Sequence, residues 1–156
     1  MHETPILICY DGSDDSSRAI DAAAALFGPR TAVVLDVGPL MTPAESLAVL
    51  APVSPAAEFE ELNADDAWMR ARAGAERARR AGFTAEARAE LAAPTWQDIV
   101  DVADELDAAA IVLGSRGLND ARELLEGSVS HEVAQHAGRP VLIVPPAHNH
   151  GTHSGR

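Results

Sequence analysis

Ile6-Leu7-Ile8-Cys9-Tyr10-Asp11-Gly12-Ser13 opens the chain with an unbroken apolar run that stops at an acid, a glycine and a serine. The run is too short for a helix and is bounded by turn formers, the pattern of a strand covered on both faces. Directly behind it, Ile20, Ala23, Ala24 and Phe27 fall at i, i+3, i+4 and i+7, which is one apolar helix face. Ser13 suits the N-cap of that helix, and Asp14 and Asp15 suit its positive end. Gly28-Pro29 stops it. A buried strand, a tight turn and an amphipathic helix are the first half of a βαβ unit.

Working outward, the same alternation recurs. Residues 31–37 form a second apolar run, ended by Gly38-Pro39; residues 109–113 form another, ended by Gly114; residues 141–144 form a last one, framed by Pro140 and Pro145. Residues 85–91 differ, because Ala85, Ala87, Ala89 and Leu91 alternate with Glu86, Arg88 and Glu90. Period two with charges on one face predicts a half-solvated strand at a sheet edge. Between these runs, residues 63–80 carry strong helix formers and Gly82 follows as a stop. Ile99, Val102, Ala103 and Leu106 repeat the helical spacing behind Thr95, a second capping candidate, and residues 128–136 form a shorter helix with Val129 and Val133 one turn apart. The expected fold is α/β: a single doubly wound domain over residues 1–146, with a five-stranded parallel sheet flanked by helices. The strand order expected from that class is 3-2-1-4-5. Residues 147–156, with His148, His150 and His153, are expected to be a disordered tail without a fixed metal geometry. The proline-rich stretch 38–55 is expected to be a surface excursion holding a short helix over 43–50, since Thr42-Pro43-Ala44-Glu45 reads as a capping box.

Composition narrows the function classes. The formal net charge is -12, and all 12 cations are arginine. So acidic a surface repels nucleic-acid backbones and anionic membranes, so neither is an expected partner. The single cysteine, Cys9, lies inside the first apolar run, where it reads as a small buried hydrophobe rather than a redox group. The sequence shows no signal-peptide pattern and no apolar run long enough to span a bilayer, so the expected location is the cytoplasm.

The chemistry is concentrated after the fourth strand, where Gly114-Ser115-Arg116-Gly117 is followed by nine residues and then Gly127-Ser128-Val129-Ser130. Glycines after a strand permit positive φ and close backbone approach. Gly127-Ser128 opens a helix, whose free N–H groups favour an anion, and Ser128 and Ser130 add hydroxyls. Together these could form a phosphate nest. Asp11, just past the first strand, would face it across the crevice; a carboxylate accepts hydrogen bonds, so it suits ribose hydroxyls or base amino groups. Taken singly, each residue has a structural reading as a turn former or cap. The spacer carries Asp120, Glu123 and Glu126, the last beside Gly127. A carboxylate about 6 Å from a phosphate charge costs roughly 3 kcal/mol at an effective dielectric near 20. Glu126 is therefore expected to weaken triphosphate binding unless it points to solvent or shares a magnesium ion.

The Gly-x2-Gly-x9-Gly-Ser pattern resembles the ATP-binding signature of the universal stress protein family. Tyr10-Asp11-Gly12-Ser13 resembles that family's first strand and turn, and His136-Ala137-Gly138-Arg139-Pro140 with Val141–Val144 resembles its closing helix and strand. The resemblance covers nearly the whole chain. It implies ATP as ligand, with or without Mg2+. It implies that Tyr10 and Asp11 lie at the nucleoside, that Val37 meets adenine through its backbone, and that Leu113 lines the same pocket. Gly114, Arg116 and Gly117 would wrap ribose and phosphates, and Gly127, Ser128, Val129 and Ser130 would bind the phosphate chain. It also implies a homodimer, through the apolar edge strand Val141–Val144.

The expected function is that of a nucleotide-binding stress-response regulator whose loaded state is read by protein partners. No catalytic residue is assigned. A slow ATPase or phosphotransferase is the alternative, with His131 as the histidine near the motif, and a non-nucleotide interaction module of the same fold is a third reading. There is no Gly-x4-Gly-Lys-Ser/Thr loop, and the absence of lysine excludes the phosphate-accepting receiver site to which the acidic pair Asp14-Asp15 would otherwise point.

Overall fold

The computed structural model describes residues 3–38, 56–91, 95–115 and 129–147, with the backbone alone over 56–60. The described elements are β1 (Ile6–Cys9), α1 (Asp14–Phe27), β2 (Thr31–Gly38), α2 (Ala56–Arg80), β3 (Thr84–Leu91), α3 (Thr95–Glu105), β4 (Ala110–Gly114), α4 (Val129–His136) and β5 (Val141–Val144). The strands form one parallel sheet in the order β3-β2-β1-β4-β5, as expected. In the central register, Ile8 stands beside Val34 on one side and Val112 on the other.

Strand alternation then sorts the core into two layers. Ile6, Ile8, Tyr10 and Val34 pack with Ala19, Ile20 and Ala23 of α1 and Ala75 and Ala78 of α2. Leu7, Cys9, Leu35, Val37, Ile111 and Leu113 pack on the opposite face with Ile99, Val102 and Ala103 of α3 and Val133 of α4. Burying each large aliphatic side chain contributes about 1.5–3 kcal/mol, so β1, with all four residues buried, anchors both layers. On α2, Ala67, Ala71, Ala75 and Ala78 are fully buried, and this stripe of small residues faces the core while Trp68 and Met69 are exposed.

The local signals explain most boundaries. Ser13 caps α1, its Oγ accepting the Ser16 N–H at 3.1 Å, and the Gly28 N–H donates to Ala24 O at 3.1 Å where the helix ends. Thr95 departs from its expected role: it is the first residue of α3 rather than the residue before it. Helix α2 begins at Ala56, earlier than residue 63, because the preceding Ala, Glu and Leu residues are themselves helix formers. β3 is an edge strand, with Ala85 buried and Glu86 exposed, and Arg88 on it pairs with Glu90 and Glu105. Arg139, in the turn between α4 and β5, donates to Ala103 O (2.8 Å), Ala108 O (2.7 Å) and the Asp104 carboxylate, and so ties the end of α3 to the start of β4 and β5. The helix expected over 43–50 and the histidine tail lie outside the described residues.

Candidate functional site

The connections from β1 and β4 run to opposite sides of the sheet, which makes the gap between their carboxyl ends the topological switch point. Asp11 stands just past β1. Its Oδ1 accepts the Ser13 N–H at 2.9 Å, an Asx turn that holds the carboxylate over the start of α1. Gly12 takes φ +83°, a conformation that a side chain rarely tolerates, so the turn depends on glycine. Ser16, 5% exposed, completes the turn: its Oγ donates to Ser13 O at 2.9 Å.

Across the gap, Gly114 is the final residue of β4 and lacks positive φ, contrary to the conformational role expected for it. Its requirement is space. A Cβ there would stand 3.3 Å from Asp15 Cβ and 3.4 Å from the Asp15 carbonyl carbon and oxygen, so the first turn of α1 closes directly on the end of β4. The Ser115 N–H donates to Val144 O at 2.9 Å, extending the sheet, and Ser115 O accepts the Ser130 hydroxyl at 3.4 Å. Ser130, 6% exposed near the start of α4, thus links the two ends of the glycine motif. Val129 packs on the same apolar layer as Val37 and Leu113, so those site candidates share one face, whereas Tyr10 lies in the layer on the other face. Arg116, Gly117, Gly127 and Ser128, with the acidic spacer, lie outside the described residues.

Two further residues adjoin the site that the sequence reading did not single out. Asp36, next to Val37 near the end of β2, is 1% exposed, and Arg70 of α2 grips it with Nε at 2.7 Å and Nη2 at 3.1 Å. Burial pushes the Asp36 carboxyl above its usual range and Arg70 pulls it back, with Asp11 adding a small upward push. A signal for the pair existed: a lone carboxylate inside an apolar strand must find a cation. Burial, aided by Asp11 and Asp36, also raises the Cys9 thiol to about 12, which fits an inert core cysteine. Among the described residues, no group of three or more His, Cys, Asp or Glu side chains could hold a metal ion, and no helix is long and apolar enough to cross a membrane.

Residues 4–145 match the model of the universal stress protein family. The chain belongs to that family. It is 33% identical over 144 residues to universal stress protein YxiE of Bacillus subtilis, a match that covers 89% of this chain and 97% of that protein. Among solved structures, it resembles a universal stress protein in complex with cAMP (TM-score 0.62, 29% identity, covering 90% of this chain and 96% of that one). It also resembles the universal stress protein of Archaeoglobus fulgidus in complex with dAMP (TM-score 0.60, 26% identity, covering 92% and 99%). In this universal stress protein, the crevice between β1 and β4 is flanked by an acidic turn on one side and by the Ser115–Ser130 link on the other.

Proposed function

We propose that this universal stress protein binds an adenine nucleotide across the β1–β4 crevice and acts through its nucleotide-bound state. The observation that carries the reading is the position of the Asp11 turn and the Gly114-Ser115 strand end on neighbouring strands at the switch point. Asp11 commits one carboxylate oxygen to the Ser13 N–H, and Oδ2 is the acceptor suited to a ribose hydroxyl or a base amino group. The start of α4, at Val129 and Ser130, and the glycines Gly117 and Gly127 with Ser128 would receive the phosphates, with Arg116 beside them. Two solved structures that this chain resembles are in complex with cAMP and dAMP, which supports an adenine nucleotide as the ligand. ATP, with Mg2+ on its phosphates, is the ligand proposed for this chain. Dimerisation through β5 is part of the same reading, since this apolar edge strand leaves Ile143 37% exposed. The function lies in the cytoplasm, with regulatory proteins reading the loaded dimer.

The test is the nucleotide content of freshly purified protein, followed by titration of ATP, AMP and cAMP into stripped protein. Stoichiometric adenine nucleotide, or saturable binding that Asp11→Ala with Gly117→Ala abolishes without loss of helical signal, supports the reading. An empty protein that ignores all three nucleotides rejects it.

A further inference from the structure

The turn that carries Asp11 does not stand on its own hydrogen bonds alone. A Cβ built on Gly12 would lie 3.6 Å from Arg70 Cδ and 3.9 Å from Cγ, so the aliphatic stem of Arg70 stands about one methyl group away from the turn on the α2 side. The head of the same side chain is fixed by the bidentate pair with Asp36, which is buried near the end of β2. One side chain thus spans from β2 to the β1–α1 turn. A planar guanidinium held through two nitrogens has little freedom to rotate, and its stem inherits that rigidity. The carboxylates acting on Arg70 are Asp36, Asp66 and Asp11, so its charge is already matched by acids on β2, α2 and the turn. A cation so surrounded is poorly suited to receive a phosphate and well suited to hold neighbouring groups in place.

We propose that Arg70, anchored by Asp36, is a positioning residue for the nucleoside end of the site: its stem walls the α2 side of the Gly12 turn and thereby limits where Asp11 presents its carboxylate. The inference rests on the nucleotide reading above for its functional consequence, but the wall itself is a property of the free protein. Because the wall acts on Asp11 and not on phosphate, its loss should weaken every ligand that shares the nucleoside, whatever its phosphate content.

Arg70→Met alone would leave Asp36 buried and unpaired and could unfold the chain, so the principal variant is Asp36→Asn with Arg70→Met, which removes both charges. Two quantities are measured on the full chain: amide hydrogen exchange at Ser13, read by NMR, and the dissociation constants for ATP and adenosine. The expected result is faster exchange at Ser13 with unchanged exchange in β1. Affinity for ATP and adenosine should fall by the same factor, about tenfold, or about 1.4 kcal/mol. Arg70→Lys, which keeps a stem and a charge but loses the fork, should fall between wild type and the double variant. Unchanged exchange at Ser13 would overturn the proposal. So would a loss of ATP affinity with adenosine unaffected, because that is the signature of a direct phosphate contact. Should wild-type protein bind neither ATP nor adenosine, the nucleotide reading fails, while Ser13 exchange still decides the role of the wall.

Discussion

The ring of Tyr10 occupies the space that a side chain at Gly74 would need. A Cβ at Gly74 would stand 2.6 Å from Tyr10 Cδ1, 2.7 Å from Cγ and 2.8 Å from Val34 Cγ1. In an exposed helix, Gly→Ala stabilises by about 1 kcal/mol. Here the methyl group meets the root of a buried ring, and overpacking of that kind costs about 1–3 kcal/mol. Gly74→Ala is therefore expected to lower stability by about 1 kcal/mol net, read as a lower urea midpoint at unchanged m-value. Stability equal to or above wild type would mean that α2 can shift away from the sheet.

Arg139 yields a second expectation. Its side chain is only 16% exposed and serves the Ala103 and Ala108 carbonyls as well as Asp104. Hydrogen bonds to a charged group contribute about 1.5–3 kcal/mol each, so Arg139→Met should cost at least about 2 kcal/mol in chemical denaturation. Arg139→Lys should recover little of this loss, because a point charge cannot replace a fork.

The Cys9 thiol, raised from 9.0 to about 12, should react slowly with a disulfide reagent at pH 8 in native protein and rapidly in urea. The sign for stability follows from the same shift. The folded thiol holds its proton more tightly than the unfolded one, so its contribution is intact below pH 9 and is lost as pH rises towards 12. Cys9→Ala should therefore show a flatter stability profile across that alkaline window.

Asp36 acts at the acid end in the same sense. Its carboxyl is raised above 3.8, chiefly by burial. Its contribution is thus full below pH 3.8 and declines as pH rises through its own higher folded-state pKa. Carboxyl NMR should find Asp36 titrating above the ordinary aspartate range, and Arg70→Lys should move that titration further upward. A titration below 3.8 would show that the Arg70 pair outweighs burial.

The sheet was legible in the sequence because parallel strands buried on both faces leave continuous apolar runs, and a glycine or proline follows each such run within two residues. The order 3-2-1-4-5 came from class rather than from any residue. The acidic turn at Asp11 was legible for the same local reason as the Ser13 cap: both bonds span two or three residues. Asp36–Arg70 and Gly74–Tyr10 were not found, because each joins segments more than 30 residues apart and depends on how α2 rotates about its axis. Gly114 reads in sequence as a site of positive φ or of close backbone approach to a ligand, whereas its tight packing against Asp15 is a tertiary fact.

That contact bears on how the protein can change over generations. Where a wall of a crevice is lined by rotamers, single substitutions can widen or narrow it by steps of a methyl group. At Gly114 the neighbour is the Asp15 main chain as well as its Cβ, so enlargement at this position displaces a helix and not a side chain. The spacing between α1 and β4 is accordingly set by main-chain packing in this architecture. Adaptation to ligands of another size falls to the surfaces around it, where side chains alone set the shape.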